Sequence, residues 1–294
     1  MRTLILSGKN VVSNGYNDTY KFDFPSGAVT FKNDQLALTS ISMYYSWENI
    51  SSSTTGGGYN NNAFSYVWLG TTVNITIPDG NYTISQLNAY LQSQMISNTH
   101  YLIDSDGNYV YYLEMVSNST YYAVQLNAYA IPTSAQASTL SYTQPAGASW
   151  SFPATAETPQ FVISSTNNFK TILGFSAGTY PSVTQSTNYS IVSNNGVPQV
   201  SPVASLVVQC NLLQNTYSIP SSLLYSFSPN VDYGEQILIN VPEMAFVDIS
   251  NGSYNSLIIQ FSDQNLNRVA IQDTNLVILL TIKNKNEYTE KILS

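Results

Sequence analysis

Apolar side chains fall at every second residue through most of this chain, and that period most restricts what it can fold into. In TYKFDF (19–24), Tyr20, Phe22 and Phe24 face one way while Lys21 and Asp23 face the other, the pattern of a strand buried on one face. SLVVQCNL (205–212) repeats it with Leu206, Val208, Cys210 and Leu212, and TVNITI (72–77) with Val73, Ile75 and Ile77. FSYVWL, SLLYSF, EQILINV and SLIIQFSD read as further strands, and the C-terminal ones are separated by Pro, Gly, Asn and Asp turns. Short strands, frequent turns and no βα alternation predict a mainly β chain built as a sandwich or barrel. NLVILLTIK (275–283) is apolar on both faces. Such a strand is either central in a sandwich or pressed against another subunit.

Helical spacing interrupts this pattern. DGNYTISQLNAYLQSQM (79–95) carries Ile84, Leu87, Leu91 and Met95 on one face, with Thr83 and Gln86 forming a capping box ahead of them. YLIDSDGNYVYYLEM (101–115) sets Asp106-Gly107 between two apolar runs, a hairpin turn. Residues 133–160 are small, proline-bearing and uncharged apart from Glu157, which predicts a long exposed loop; SSSTTGGGYNNN (51–62) predicts another. NNFKTILGF (167–175) predicts a short helix with Phe169, Ile172 and Leu173 on one side and Gly174 as its C-cap. The expected organisation is a β-sandwich in two parts, residues 1–70 and 180–294, with an inserted α+β domain over 71–179.

Composition restricts function. Charged residues are 9% of the 294, against ~25% in ordinary soluble domains. Asn, Ser, Thr and 23 tyrosines supply the polarity, and apolar content is 43%, enough to fold. A surface poor in lysine loses little side-chain entropy when a neighbour covers it, and interface cores are rich in Tyr and poor in Lys. An assembling protein fits this composition; secreted and fibrous β-proteins share it. The formal charge is −8, and Arg2 and Arg268 are the only arginines. Nothing here supplies a basic stripe to neutralise phosphate, so nucleic acid is not an expected partner. The apolar run in MRTLILSGKN is too short for a signal peptide, and no segment is long enough to cross a bilayer. The expectation is a soluble chain synthesised in the cytosol, without an intrachain disulfide because Cys210 is the only cysteine.

Candidate chemistry is sparse. His100 is the single histidine, and no GxSxG or similar nucleophile motif accompanies it. Cys210 sits on the apolar face of its strand, where a buried inert thiol is expected. Asp104-Ser-Asp106-Gly-Asn108 resembles the start of a calcium loop but lacks the closing glutamate, so a hairpin turn is expected. Asp263, Asn265 and Asn267 could offer oxygens to a cation, but polar loop residues between two strands explain them without one. No phosphate loop or dinucleotide fingerprint occurs. The N-x-S/T sequons, among them Asn74, Asn118 and Asn251, arise by chance in a chain so rich in these residues. The expectation is no enzyme, no catalytic, cofactor-binding or metal residue, and no cofactor.

Several stretches together resemble the penton, or minor capsid, proteins of virophages and polinton-like viruses: MYYSWENIS (43–51), IPDGNYTISQLNAYLQ (77–92), LGFSAGTYP (173–181), VPQVSPVASLVVQCNLLQN (197–215) and IIQFSDQNLNRVAIQDTNLVILLTIKNK (258–285). They stand in the family's order over most of the chain. The resemblance implies a single jelly-roll β-sandwich carrying an inserted α+β upper domain, assembled as a homopentamer at the fivefold vertices of an icosahedral capsid. Its implied partners are copies of itself and the major capsid protein of the same virus, with a host receptor or glycan as a further one, and its implied location is the virion. There is no Arg-Gly-Asp, so an integrin-type receptor has no support in this sequence. The other function class is a receptor- or glycan-binding spike whose Tyr, Trp and Asn contact sugars.

Overall fold

The computed structural model describes residues 1–13, 15–54 and 58–288; residues 55–57 of the loop expected over 51–62 lie outside them. The chain divides into two compact units, one formed by Met1–Glu48 with the chain from Val203 onward, the other by Asn49–Thr54 with Gly58–Pro202.

The first unit opens with β1 (Arg2–Leu6), β2 (Thr19–Asp23), β3 (Val29–Phe31) and β4 (Asp34–Tyr44). β2 buries Tyr20 completely and turns Lys21 and Asp23 to water, where they pair at 2.9 Å. In β4 the large buried side chains are Leu36 and Leu38, then Ile41 and Met43. That step of three is a β-bulge: the register with the last strand jumps from Ser40 to Leu38 and leaves Thr39 extra. The bulge lets one long strand keep burying side chains after its alternation changes phase.

The second unit contains β5 (Ala63–Trp68), β6 (Thr71–Thr76), α1 (Ile84–Ser97), β7 (Leu102–Ile103), β8 (Tyr109–Val110), β9 (Leu113–Asn118) and β10 (Ala123–Ala128). α2 (Ser134–Thr139), β11 (Gln160–Ile163), α3 (Phe169–Leu173), β12 (Gly178–Tyr180) and β13 (Tyr189–Val192) complete it. Its sheets run β12-β11-β5-β6 and β13-β10-β9, with β7 and β8 as the hairpin around Asp106-Gly107. α1 begins where the capping box stands: Thr83 Oγ1 accepts from the Gln86 N–H at 3.2 Å, and Gln86 Oε1 accepts from the Thr83 N–H at 2.8 Å. Ile84, Leu87, Leu91 and Met95 bury against β9 and join a core with Phe64, Tyr66, Trp68, Phe161 and Phe169. α3 ends at Gly174, whose φ of 71° needs glycine. A Cβ there would meet the Gly196 carbonyl oxygen at 2.7 Å.

Two expectations differ from this arrangement. Residues 133–160 are not a structureless loop. Thr133 and Gln136 repeat the capping box of α1 and start α2, and Trp150 anchors the later part by donating from Nε1 to the Thr99 carbonyl at 2.7 Å. The bounds of the second unit are also wider than 71–179. β5 hydrogen-bonds to β11 (Tyr66 opposite Phe161), and β13 to β10 (Val192 opposite Gln125). These ladders hold Ala63–Trp68 and Tyr189–Val192 in this unit's sheets.

The chain then adds β14 (Leu206–Cys210), β15 (Leu223–Phe227), β16 (Gln236–Asn240), β17 (Val247–Asp248), β18 (Gly252–Tyr254), β19 (Ser256–Asp263) and β20 (Val277–Asn284) to the first unit. Two antiparallel sheets result, β1-β20-β4-β16 and β15-β14-β19-β2, with β17 extending the first along β4 and β18 pairing with β3. The pairing is nested: β1 with β20, β2 with β19, β4 with β16, and β14 with β15. Leu206, Val208, Cys210, Leu257, Ile259 and Phe261 from one sheet and Leu36, Ile41, Ile278 and Leu280 from the other are almost wholly buried. Each such aliphatic burial is worth ~1.5–3 kcal/mol. β20, the two-faced strand of the sequence, is central between β1 and β4.

Candidate functional site

The reactive residue types serve the fold. His100 follows α1, is 7% exposed, and places Nδ1 2.8 Å from the Tyr66 hydroxyl. Its ring stacks on Trp68 at 5.1 Å between centroids, tilted by 8°. Burial lowers its pKa to about 4, so the imidazole is neutral at physiological pH. Cys210 is fully enclosed in the first unit, and burial pushes its thiol up to about 12. A thiol held protonated is neither a nucleophile nor a metal ligand.

The two acidic loops share one design. Asp104 Oδ1 accepts from the Asp106 and Asn108 N–H groups at 2.9 and 2.8 Å, and Oδ2 from Asn108 Nδ2 at 3.1 Å. Asp263 does the same with the N–H groups of Asn265 and Asn267, both at 2.8 Å, and with Asn267 Nδ2 at 3.1 Å. The fourth residue of each is left-handed, Gly107 (φ 84°) in one and Leu266 (φ 65°) in the other. The Asn108 side-chain and backbone donors hold Asp104 below its ordinary pKa. Carboxylate oxygens aimed at N–H donors close a turn. The shared Asp-x-x-x-Asn spacing is the sequence signal of this turn. Among the described residues no group of three or more His, Cys, Asp and Glu is gathered around one point.

Arg268 has a structural role that composition alone did not suggest. Its Nε and Nη2 donate to Asp18 Oδ2 and Oδ1, both at 2.7 Å, and its guanidinium lies 4.5 Å from the centre of the Tyr16 ring. Asp18 is wholly buried. The bidentate pair ties the segment before β20 to the start of β2. Of the sequons, Asn74 accepts from Ser65 Oγ at 2.8 Å and Asn251 from the Asn33 N–H at 2.9 Å. Asn118 donates to Gln125 Oε1 at 2.9 Å.

Among what the first unit presents to solvent are two apolar features. The connection from β14 to β15 exposes Tyr217 and Ile219 at 99% and 98%. Next to β1 and β2 lies an open cavity of about 470 Å³ lined by Leu4, Ile5, Phe22, Phe24, Val29 and Ile282, among others. Sequence reading missed both, because an apolar residue in a turn or on a strand is read as buried by default. Nothing in Tyr217-Ser218-Ile219 as a sequence marks these side chains as exposed.

No family model matches this sequence. No curated protein matches either. Among solved structures, the chain is similar to the selenomethionine-labelled mavirus penton protein. The TM-score is 0.40 and the identity 10%, over 96% of each chain. No helix among the described residues is long and apolar enough to cross a membrane.

Proposed function

We propose that this chain is a structural capsid protein of penton type, a homopentamer closing the fivefold vertices of an icosahedral shell. The observation that carries this reading is the nested order of eight strands in two sheets. First pairs with eighth, second with seventh, third with sixth and fourth with fifth, which is the connectivity of a jelly roll, a fold of capsid and lectin domains. The second unit, which lies in the sequence between β4 and β14, is read as the inserted domain. A fold does not carry a function by itself. The composition adds to it: a chain with 9% charged residues and 23 tyrosines loses little desolvation energy when copies cover its surface.

In this role the protein has no catalytic task. Its partners are four further copies and the major capsid protein of the same virus; it is made in the host cytoplasm and resides in the virion. A ring of identical heterologous contacts must close by rotation, since one that fails to close grows as a filament. Electron microscopy of particles labelled on this chain is the test. Label confined to vertices is expected, and label across the faces or in threefold rings overturns the reading. Selective binding on a glycan array, without incorporation into particles, would assign the chain instead to the spike class.

A further inference from the structure

Two exposed apolar features of the first unit lie at opposite edges of one sheet. In the order β15-β14-β19-β2, the loop bearing Tyr217 and Ile219 joins β14 to β15 at one edge, and β2 forms the other. The groove opens where β2 and β1, the edge strands of their respective sheets, run beside β3. Val11 bridges to Tyr20 at one end of β2, while Phe22 and Phe24 line the groove with their rings 5.8 Å apart. Ile5, 59% exposed, stands on its wall.

The loop is held in shape. Asn215 Oδ1 accepts from the Tyr217 N–H at 3.0 Å, the Asn215 N–H donates to the Ser221 carbonyl at 2.7 Å, and Ser218 Oγ donates to the Pro220 carbonyl at 2.9 Å. The Gln214 N–H is tied to the Asp248 carbonyl at 3.1 Å. A backbone fixed in this way limits the ordering cost of binding to that of the two side chains. Residues 211–222 carry no charge, and the groove's lining is aliphatic and aromatic apart from Thr3 and Arg2. Its volume of about 470 Å³ falls within the ~300–1,000 Å³ of pockets that enclose small ligands.

We infer that Tyr217 and Ile219 of one copy insert into the groove between β1 and β2 of the next, so that knob and groove form a head-to-tail contact. A second copy is the occupant because one chain carries both halves of matching apolar chemistry at opposite sheet edges. Such an arrangement makes a heterologous contact, whereas an isologous dimer needs a single self-complementary patch. This contact rests on the assembly reading above and supplies its surface.

The test uses the full chain. Pairing Ile219→Cys with Ile5→Cys should give, on oxidation of a concentrated solution, a ladder of cross-linked oligomers. Cys210, fully buried, does not compete. Each cysteine variant alone should give no ladder. Ile219→Asp and Ile5→Asp should each abolish association in sedimentation, and their equal mixture should stop at dimers, because only one knob and one groove remain intact. Both side chains are exposed, so folding is expected to survive, and circular dichroism checks it. Absence of the ladder, or association that persists in Ile219→Asp, overturns the contact. Vertex labelling with persistent association would then leave the capsid reading standing. Binding to phosphatidylcholine vesicles lost in Ile219→Asp, with no ladder, would assign the knob to lipid. Association appearing only after removal of residues 289–294 would assign the groove to the chain's own end. Either result sinks the proposal.

Discussion

The Tyr66 hydroxyl lies 2.8 Å from His100 Nδ1 while Trp68 stacks on the same imidazole, so the chain's single histidine is enclosed by aromatic rings from β5. Burial depresses its pKa to about 4 from an ordinary 6.5. The unfolded chain therefore binds a proton that the folded chain refuses between those values, and stability falls as pH drops from 6.5 towards 4. The loss is on the order of 3 kcal/mol across that window. Replacing His100→Phe should remove most of this slope while lowering stability at neutral pH by about 1 kcal/mol, through the lost Tyr66 partner. Denaturant titrations at several pH values check it; an unchanged slope would show that another group dominates.

Asp18 is wholly buried against Arg268. Arg268→Leu strands that carboxylate and should cost about 3 kcal/mol, since removing one partner leaves a buried charge uncompensated. Arg268→Lys should recover only part, because an ammonium cannot make the two parallel bonds seen here. Urea midpoints of the three proteins decide between this and a surface pair of no consequence.

Thr83 and Thr133 cap α1 and α2 through the same reciprocal bonds. Thr83→Ala and Thr133→Ala should each cost about 1 kcal/mol. A loss at Thr133 as large as that at Thr83 would show that the short α2 is as fully part of the unit's cooperative structure as α1. Equilibrium unfolding followed by circular dichroism measures both.

Joining Glu48 to Val203 by a short Gly/Ser linker removes the second unit. The remainder should unfold as one cooperative β-protein, because changing loop length alters closure entropy only weakly. A broad, non-cooperative transition would mean that the first unit does not fold alone.

Much of this architecture is already written locally. The alternation in SLVVQCNL selects the inward face of β14, the Thr-x-x-Gln signature starts α1, and Asp106-Gly107 turns a hairpin. The same signature at Thr133 was equally present and went unread, because low charge and proline nearby suggested a loop. These features depend on backbone geometry and on neighbours within a turn or two, so sequence determines them by itself. Pairing is different. β1 meets β20 across nearly the whole chain, β5 turns to β11, and the phase change at Thr39 in β4 follows from matching β20. A ladder hydrogen bond uses backbone groups that every residue but proline carries, so the sequence does not mark which strand will receive it. Tertiary burial decides that. It also decides that Tyr217 and Ile219 stand in water while Leu212 and Leu213, a few residues earlier in the same connection, are covered. All four side chains are large and mostly apolar, and only the packing of distant strands distinguishes them.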